Sequence, residues 1–472
     1  MHGEYKRIKL LPHQQDSYDK ILNICQKHKF WIDDSRMGAG KTILTLQISK
    51  QLNLPILVCC PLAAIPNWTA ESEKYGIDVI DIMTYKSLCA SGHDHQPHHG
   101  LLIKSVSGYQ PTDKLIQLIQ SGMLIIWDEA QHLTGNSIQS QAVRCVMNTL
   151  YKYDNSKSAI LSATLIDKPE QLLQMLYNIS ILDGAKYNSM VAQEFLTFAL
   201  RICPDVVQLY MLAHDLNEGI TFVWDLYLLI KDHITSTMTA SSGLLSQAEC
   251  QYYNLYYPTT LTEYINTDRK DIFAVLKAIQ MGKLDIIYKL TCNILNHCYH
   301  YQDIKVWPKI VIYVSYLDLM TELMNKLSEF NPLCLHGQLD NKTRTEYIRL
   351  FNQNNCKYRI LISTPQCGGV SVNLHSKNIK YPRIGISIPD YNTKNQMQSS
   401  GRFFREGACG SSIVCCLYNT DHDMTEQHLI EKIRSKSNTM SQFHSDQPTT
   451  FLNDYININV DENYIITGAG LL

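Results

Sequence analysis

The sequence lacks several features that mark large classes of protein. None of its 15 cysteines stands in a Cys-x-x-Cys pair, so the usual signature of a zinc ribbon or a dithiol redox site is missing. No run approaches the roughly 20 apolar residues of a membrane span, and the first fifteen residues contain no apolar stretch suited to a signal peptide. We therefore expect a soluble, intracellular protein with reduced cysteines and no membrane partner.

An excess of charge of one sign is also lacking. The 472 residues contain 42 lysines and arginines against 44 acids, which gives a formal net charge of −2, and neither end carries a basic or acidic tail. Such a chain exerts no general attraction on nucleic acid, so a nucleic-acid partner would have to be held by a local groove. We also find no group of acids that resembles a nuclease site.

The first part of the chain alternates short apolar runs with segments of helical periodicity. Each apolar run ends in a polar residue or a proline, and residues 41–52 show the 3.6-residue period of a helix. Strands that alternate with helices and carry polar residues at their ends predict a parallel α/β sheet. The predicted strands are 30–33, 55–60, 123–127 and 159–161.

The same pattern returns after residue 308 and predicts a second α/β lobe of similar size. The predicted strands there are 310–314, 333–335, 359–363, 383–388 and 412–418, with helices at 317–327 and 341–353.

The remaining segments differ in composition from the two lobes. The stretch between the lobes is rich in Tyr and Leu and poor in glycine turns, which predicts a helical insertion. A polar, His-rich stretch before residue 113 predicts a loop, and a polar C-terminus predicts a tail. The predicted boundaries are 1–182 for the first lobe, 183–304 for the insertion, 305–436 for the second lobe and 437–472 for the tail, with the loop at 89–112.

The segment 35–42, SRMGAGKT, follows a predicted strand and opens a predicted helix, which is the context of a phosphate-binding loop. Glycines let the backbone approach phosphates, and a helix N-terminus binds negative charge. Lys41 is predicted to reach the β- and γ-phosphates of ATP, and Thr42 to ligate Mg²⁺. Ser35 replaces the usual first glycine, so a chance glycine turn is the alternative. The predicted nucleotide contacts are Met37, Gly38, Ala39, Gly40, Lys41 and Thr42.

Two acids, Asp128 and Glu129, follow the buried run LIIW. A strand that delivers two carboxylates to its C-terminal end suits a Mg²⁺ ligand next to a base that orients water. Asp128 is therefore predicted to hold Mg²⁺ and Glu129 to activate the attacking water. The alternative, an exposed acidic turn, is disfavoured because the two halves of one ATP site occur in the expected order.

Further segments give the chain a family resemblance. The first half contains LLPHQ at 10–14, PLAAIPNW at 61–68, IMTY at 82–85, DEAQ at 128–131 and LSATLIDKPEQLLQML at 161–176. The second half contains KIVIYV at 309–314, LISTPQCGGVSVNL at 361–374 and QSSGRFFREG at 398–407. Together and in this order they resemble the motifs of superfamily 2 helicases, with the Swi/Snf-like group the most similar. The triplet Ser162-Ala163-Thr164 is the general helicase form, where Swi/Snf proteins more often have Thr-Gly-Thr.

The resemblance implies a fold of two tandem RecA-like lobes with ATP between them. It implies that Gln14 reads adenine, that Gln398 contacts the nucleotide, and that Arg402 and Arg405 act as arginine fingers on one helical face. A surface salt-bridge helix is the alternative for the arginines. It also implies contacts with the nucleic-acid backbone, for which capping or turn roles are the alternatives, and stacking of Trp68 on a base, for which a core position is the alternative. These predicted contacts are Asn67, Trp68, Thr84, Thr364, Gly368 and Asn373.

The resemblance also implies a function. The first hypothesis is a DNA helicase or duplex DNA translocase that uses ATP and Mg²⁺. An RNA helicase and an ATP-binding regulatory module of a transcription or genome-processing complex remain alternatives. Compact motors of this kind resemble those of large DNA viruses, so nucleus, cytoplasm and a viral factory or virion are not distinguished. Target choice would come from the insertion, from the loop or from a protein partner, and the oligomeric state is open.

Overall fold

The structure is a computed structural model. It describes residues 5–89, 100–106, 108–214, 218–238, 250–257, 272–301, 303–369, 373–389, 392–403, 408–409, 412–419, 424–443 and 456–460. The chain divides into two compact units, Met1–Thr239 with Thr439–Gln447, and Ala240–Asn438 with Pro448–Leu472. Within the described residues, no helix is both long and apolar enough to cross a membrane.

The first unit is built on a parallel sheet. Its strands are β1 (Phe30–Asp33), β2 (Ile56–Cys59), β3 (Val79–Met83), β6 (Leu124–Asp128), β7 (Lys157–Leu161) and β8 (Thr235–Ser236), in the order β3-β2-β6-β7-β1-β8. Two further strands, β4 (Leu102–Ser105) and β5 (Gly108–Pro111), form a separate antiparallel hairpin. Its helices are α1 (Pro12–Lys27), α2 (Lys41–Leu52), α3 (Ile65–Tyr75), α4 (Tyr85–Leu88), α5 (Asp113–Ser121), α6 (Ile138–Leu150), α7 (Pro169–Asn178), α8 (Ser189–Ile202), α9 (Pro204–Met211) and α10 (Ile220–Ile230).

Both faces of this sheet are buried, which is why its strands read as continuous apolar runs. Because side chains alternate between the two faces of a strand, each strand contributes to two cores. In β6, Ile125 and Trp127 pack on one side, whereas Leu124 and Ile126 pack on the other. The polar residues that end the strands therefore meet at one edge of the sheet.

The second unit is built on a parallel sheet of seven strands. They are β9 (Cys250–Tyr257), β12 (Lys309–Tyr313), β13 (Leu333–Leu335), β14 (Ile360–Ser363), β15 (Arg383–Ser387), β16 (Ser412–Asn419) and β17 (Ile456–Asn459), in the order β13-β14-β12-β15-β16-β9-β17. The short strands β10 (Tyr299–Tyr301) and β11 (Ile304–Val306) pair antiparallel. The helices are α11 (Ile272–Met281), α12 (Leu284–Asn296), α13 (Leu317–Lys326), α14 (Asn341–Asn352), α15 (Pro365–Gly369), α16 (Thr393–Ser400) and α17 (Met424–Phe443).

The predicted α/β class with two parallel-sheet lobes is confirmed. All nine predicted strands are present, and the predicted helix 41–52 is α2. The prediction succeeded where strands are rich in Ile, Val and Leu and end in a polar residue, because that pattern reports burial on both faces.

Residues 183–304 are not all helical, and the two units share them. Helices α8 to α10 pack on the first sheet through residues such as Phe195 and Phe222. Strand β9 lies in the second sheet between β16 and β17, and α12 packs there through Ile287 and Ile294. The sequence analysis missed β9 because its run CQYYNLYY is rich in tyrosine, which favours strands but also fills helix surfaces.

Two other segments also differ from their predictions. The hairpin β4–β5 lies inside the segment 89–112, which was predicted to be a loop. Its two strands were not predicted because their sequences lack the alternation of apolar and polar residues that indicates a strand. The predicted tail begins inside α17, which buries Leu429, Ile433 and Met440 at helical spacing. Strand β17 adds to the edge of the second sheet beside β9. Helix α17 and strand β17 carry so many polar residues on their exposed sides that the composition of the segment did not distinguish them from a tail.

Candidate functional site

The phosphate-binding segment lies at the carboxyl end of β1. The strand ends at Asp33, and α2 begins at Lys41 with Gly40 as its N-cap. Gly38 has a φ of 79° and Gly40 a φ of 94°, both in the left-handed region that favours glycine. The turn therefore directs the N-terminus of α2, with its unpaired N–H groups, toward the end of the sheet.

Helix α1 contacts this turn through Gln14, which is buried. Its Nε2 donates to the carbonyl of Ala39 at 3.0 Å, and its Oε1 accepts from the amide of Leu11 at 2.9 Å. A Cβ on Gly40 would lie 2.1 Å from Gln14 Nε2, so a side chain there would displace the amide. Gln14 thus holds the turn in shape, and its contact with adenine stays a prediction.

Lys41 is folded onto its own loop. Its Nζ donates to the carbonyl of Ser35 at 2.6 Å and to that of Arg36 at 3.1 Å. Burial, the largest influence, raises the pKa of both Asp33 and Asp128, and the positive charge of Lys41 opposes this rise in both, so the ammonium lies near both carboxyls. The lysine and the acid, which are far apart in sequence, are thus together at one edge of the sheet.

Asp128 and Glu129 stand at the end of β6, as predicted. Asp128 Oδ1 accepts from the amide of Glu129 at 3.0 Å, and Oδ2 accepts from the indole Nε1 of Trp68 at 2.8 Å. Glu129 has a φ of 54°, which costs energy for a residue with a Cβ and is typical of functional turns.

The environment of Asp128 favours its neutral form. Burial raises the pKa of Asp128, and the charge of Glu129 raises it further, whereas the Trp68 hydrogen bond and Lys41 lower it. A cation beside this carboxylate would favour its charged form.

Glu129 is linked to the end of the neighbouring strand β7. Its Oε2 accepts from Gln131 Nε2 at 3.0 Å, and Gln131 Oε1 accepts from Ser162 Oγ at 2.7 Å. The amide of Ser162 in turn donates to the carbonyl of Asp33 at 3.1 Å. These hydrogen bonds join the three strand ends that carry the predicted chemistry.

Ser35, where the loop departs from the usual glycine, has a defined role. Its Oγ donates to Asp33, and it accepts from the amide of Met238 at 2.7 Å. Next to it, the hydroxyl of Thr237 donates to the buried Asp34. Burial, the largest influence, raises the pKa of Asp33 to about 6, against the opposing effects of Lys41 and Ser35. The segment after α10 is therefore tied to the loop, which no local sequence pattern indicates.

The prediction that Trp68 stacks on a base is wrong. Its side chain is 0 % exposed and lies in the core between α3 and the sheet. A ring without exposed surface has no face to offer a base. The core position named as its alternative is the correct one, and its N–H is bound to Asp128.

The other predicted nucleic-acid contacts of the first unit lie beside this site. Asn67 is exposed on α3. The hydroxyl of Thr84 accepts from the amide of Ser87 at 3.0 Å, so it caps α4 while staying partly exposed. Their contact with nucleic acid stays a prediction.

The predicted contacts of the second unit follow β14 and precede β15. Thr364 is half-buried, and Gly368 lies in α15. Asn373 is exposed, and its carbonyl accepts from Asn352 Nδ2 at 2.8 Å. Their roles stay predictions.

Arg402 does not lie on a helix as expected. Helix α16 ends at Ser400, so Arg402 stands in the turn that follows, and Arg405 lies outside the described residues. Arg402 is 2 % exposed, which excludes the surface salt-bridge alternative. The ring of the next residue, Phe403, packs directly against Gly385. A Cβ at this glycine would lie 2.6 Å from the ring. Gln398, on α16, is also buried.

Comparison with known proteins identifies the family. Residues 28–240 match the SNF2-related domain, and residues 283–407 match the helicase conserved C-terminal domain. The chain belongs to the Swi/Snf-like helicases of superfamily 2. Proteins of this family hydrolyse ATP, and the roles of the loop, the lysine and the two acids in that reaction stay predictions.

Relatives of this Swi/Snf-like helicase differ in their names. A protein of Acanthamoeba polyphaga mimivirus, named as an ATP-dependent RNA helicase, is 21% identical over 85% of this chain and 77% of its own length. The chromatin remodeling factor mit1 of Schizosaccharomyces pombe is 21% identical over 90% of this chain and 32% of its own length. The chain therefore spans about three quarters of the first relative but only about a third of the second.

A shorter match and a solved structure complete the comparison. The chromodomain-helicase-DNA-binding protein 1-like of Danio rerio is 39% identical over 14% of this chain and 7% of its own length. A solved structure, the Sulfolobus solfataricus SWI2/SNF2 ATPase core in complex with dsDNA, also matches. The match covers 97% of the present chain and 99% of the chain in that structure, with 16% identity and a TM-score of 0.35.

The site of this Swi/Snf-like helicase suits Mg²⁺. A carboxylate has about four lone-pair positions on two oxygens, and the two donors to Asp128 leave one on each oxygen. Hydroxyl and carboxylate oxygens, as on Thr42 and Asp128, are the ligands that Mg²⁺ prefers. A carboxyl whose pKa is raised by burial and by a neighbouring acid also gains from a nearby cation.

Proposed function

We propose that this Swi/Snf-like helicase is an ATP-driven motor that moves along DNA, as a helicase or as a duplex translocase. The observation that carries the proposal is the pair Asp128–Glu129, oriented by Trp68 and Gln131 and lying within the electrostatic influence of Lys41. A phosphate loop with its lysine beside two oriented carboxylates is the arrangement that phosphoryl transfer to water requires.

Each residue of the first unit has a separate task in this proposal. Lys41 leaves its loop carbonyls to neutralise charge on the β- and γ-phosphates, and the N-terminus of α2 binds their oxygens. Thr42 and Asp128 hold Mg²⁺, which would withdraw charge from the phosphate oxygens when bound. Glu129 orients the attacking water and accepts its proton.

The arginines of the second unit would complete the reaction. We assign Arg402 and Arg405 to the charge that develops on the γ-phosphoryl group, where such arginines contribute about 10³–10⁵ in rate. Arginine suits this task because its planar fork binds phosphate oxygens in pairs. Gln14 and Gln398 would contact the nucleotide.

DNA is the proposed partner, held by polar groups and not by a basic surface. The match to the SNF2-related domain supports DNA, as do the fission yeast relative named for chromatin and the zebrafish relative named for DNA binding. The proposed backbone contacts are Asn67, Thr84, Thr364, Gly368 and Asn373.

RNA is the second candidate partner, because the mimivirus relative is named as an RNA helicase. Steady-state ATPase rates of the full chain, alone and with duplex DNA, single-stranded DNA or RNA, separate the candidates. We expect duplex DNA to stimulate most. Stimulation by RNA alone would show that RNA, and not DNA, is the substrate. An ATPase rate unchanged by all three nucleic acids would refute the proposal that the protein is a motor. The variant Lys41→Ala should lack activity throughout and serves as the background control.

A second measurement distinguishes movement from strand separation. A translocase displaces the third strand of a DNA triplex without opening the duplex, whereas a helicase separates the two duplex strands. ATP-dependent activity in either assay supports the motor, and activity in neither contradicts it.

A further inference from the structure

Two separate segments of the first unit reach the same residue, Asp128. In the first, Trp68 on α3 donates its indole N–H to the Asp128 carboxylate at 2.8 Å. In the second, Tyr85 at the start of α4 donates its hydroxyl to the Asp128 carbonyl at 3.0 Å. Trp68 and Tyr85 are 0 % and 4 % exposed, so both hydrogen bonds form away from bulk water.

Each aromatic residue directly follows a polar residue that stands at the surface. Asn67, before Trp68, is exposed, and Thr84, before Tyr85, is partly exposed. Successive residues at a helix start point in different directions. The two segments are therefore built alike, with one side chain toward solvent and the next toward the acid that we assign to Mg²⁺.

The hydrogen bonds are specific and are not a general requirement for burying an aromatic side chain here. Trp31 lies in the same core as Trp68, yet its indole nitrogen has no hydrogen-bond partner among the described residues. The hydroxyl of Tyr151, in the same unit, likewise has none in that part of the chain. Trp68 and Tyr85 thus have a polar function at Asp128 beyond filling space.

Tyr85 is itself held on both sides. Its ring stacks on Trp127, with centroids 6.2 Å apart, and lies 5.3 Å from the ring of His132. The phenol of a tyrosine is protonated at neutral pH, so Tyr85 donates this hydrogen bond. A shift of α4 would therefore move a fixed donor relative to the backbone of Asp128.

We propose that Trp68 and Tyr85 are positioning residues that couple nucleic-acid binding at α3 and α4 to the Mg²⁺-binding carboxylate of Asp128. Nucleic acid on the Asn67 and Thr84 side restrains the two helices, and their aromatic donors then restrain the side chain and the backbone of Asp128. A metal ligand held in its productive orientation loses less freedom when the cation binds. The inference rests on the proposed nucleic-acid-stimulated ATPase and supplies the route of the stimulation.

Because coupling between two binding sites is reciprocal, the effect has a readout that needs no turnover. In the wild-type chain, Mg²⁺ with a non-hydrolysable ATP analogue should tighten the binding of duplex DNA, and duplex DNA should tighten the binding of that nucleotide by the same factor. Fluorescence anisotropy of labelled DNA and of labelled nucleotide gives both values.

The test uses two conservative variants and two matched controls. Trp68→Phe and Tyr85→Phe each remove one donor and keep an aromatic ring in the core. Trp31→Phe and Tyr151→Phe remove an indole N–H and a phenol hydroxyl that have no hydrogen-bond partner among the described residues. They therefore report the effect of the side-chain change without the loss of a hydrogen bond. For all four we would measure the stimulated-to-basal ATPase ratio, the DNA–nucleotide coupling factor and the half-saturating Mg²⁺ concentration.

We expect Trp68→Phe to lower the stimulation ratio and the coupling factor by about tenfold, because it removes a hydrogen bond to a carboxylate. Tyr85→Phe should lower them by about threefold, since its acceptor is a neutral carbonyl. The half-saturating Mg²⁺ concentration should rise in both, and the controls should match the wild type in all three readouts. Equal ratios in all five proteins would overturn the inference and leave the proposed function standing. A wild-type chain that no nucleic acid stimulates would instead overturn the proposed function.

Discussion

The two units are alike at the amino ends of their strands and differ at the carboxyl ends. In the first unit, Lys29 before β1 donates to the carbonyls of Tyr151 and Tyr153, and Lys157 at the start of β7 donates to those of Cys25 and His28. In the second unit, the cations Lys309, Arg359 and Arg383 stand at or next to the starts of β12, β14 and β15. Lys309 donates to the carbonyls of Phe351 and Gln353. Arg359 donates to those of Pro308 and Leu295, and Arg383 to those of Leu374 and Tyr381.

At the carboxyl ends the charges differ. The first unit places Asp128 and Glu129 there, with the lysine of the phosphate loop nearby. The second unit places a buried ion pair at the end of β16, where Lys283 donates to Glu426 and to the carbonyl of Leu417. Among the residues that the structure describes, Arg402 is a further buried charge, close to Tyr313 at the end of β12.

The comparison separates residues that serve the fold from residues that serve the reaction. Cations that donate to backbone carbonyls at the amino ends occur in both units, which indicates a structural role. The carboxyl ends are where parallel sheets bind ligands, and there the two units differ in the charged groups that they hold. Substitutions at the two ends of the sheets test this separation.

The largest effect should come from Glu129→Gln. Removing the base should lower ATP turnover by about 10²–10⁴-fold, while nucleotide binding and the free energy of unfolding stay close to wild type. Single-turnover hydrolysis and labelled-nucleotide binding measure the two properties. Turnover within a few-fold of the wild type would show that another group accepts the proton.

Lys283→Met should lower the free energy of unfolding by about 3–5 kcal/mol, because it leaves Glu426 buried without its partner. Both side chains are almost fully buried, at 1% and 3% exposed. The double variant Lys283→Met, Glu426→Leu should recover most of the loss, since an apolar pair replaces the ions. Denaturant unfolding measures all three proteins, and an equal loss in the single and double variants would argue against a pair that matters through its charge.

The stability contribution of Lys309 should depend on pH. Burial, the largest influence, lowers the pKa of Lys309 to about 7 together with the charges of Arg383 and Arg359, against an opposing effect of Cys356. Between that pKa and the unfolded value of about 10.4, the unfolded chain binds a proton that the folded chain does not. The free energy of unfolding should therefore rise with pH by up to about 1.4 kcal/mol per unit relative to Lys309→Met.

Denaturant unfolding of both proteins at several pH values above 7 checks this slope. A wild-type curve parallel to that of Lys309→Met would mean that the lysine stays charged in the folded chain. ATP binding by the first unit should be the same in both proteins, which tests the structural role of the amino-end cations.

The smallest effect concerns the backbone of Glu129. Replacing it with glycine relieves the left-handed conformation at φ 54° and should raise the free energy of unfolding by about 1 kcal/mol. Asn331→Gly, at φ 49° in the second unit, should change it much less, because Asn tolerates this conformation. A higher free energy of unfolding in Glu129→Gly, together with lost ATP turnover, would show that the strained backbone at position 129 serves the reaction. An unchanged free energy of unfolding would contradict this.

The sequence was sufficient for the nine strands that read as apolar runs with a polar end, whereas the roles of the phosphate-loop residues stay predictions. Runs such as LIIW followed by two acids report burial on both faces and a polar strand end, and these are local properties. The tyrosine-rich β9 escaped because its neighbours in the sheet, β16 and β17, lie about 160 and 200 positions away.

Contacts between distant residues could not be read from the sequence. A tryptophan at a helical position indicates burial, but not that its N–H meets Asp128, 60 positions later. Nor does a serine in the phosphate loop indicate a bond to Met238, 203 positions away. The types of residue in the site were predictable, whereas the hydrogen bonds that orient them depend on which elements pack side by side.

The indole of Trp68 also makes the metal site observable by light. The emission of a tryptophan depends on the charge next to its ring nitrogen, and this nitrogen lies 2.8 Å from the carboxylate that we assign to Mg²⁺. The chain has five tryptophans, and Trp68→Phe provides the blank for subtracting the other four. Cation binding could thus be followed in the unlabelled protein, in real time, through its own fluorescence.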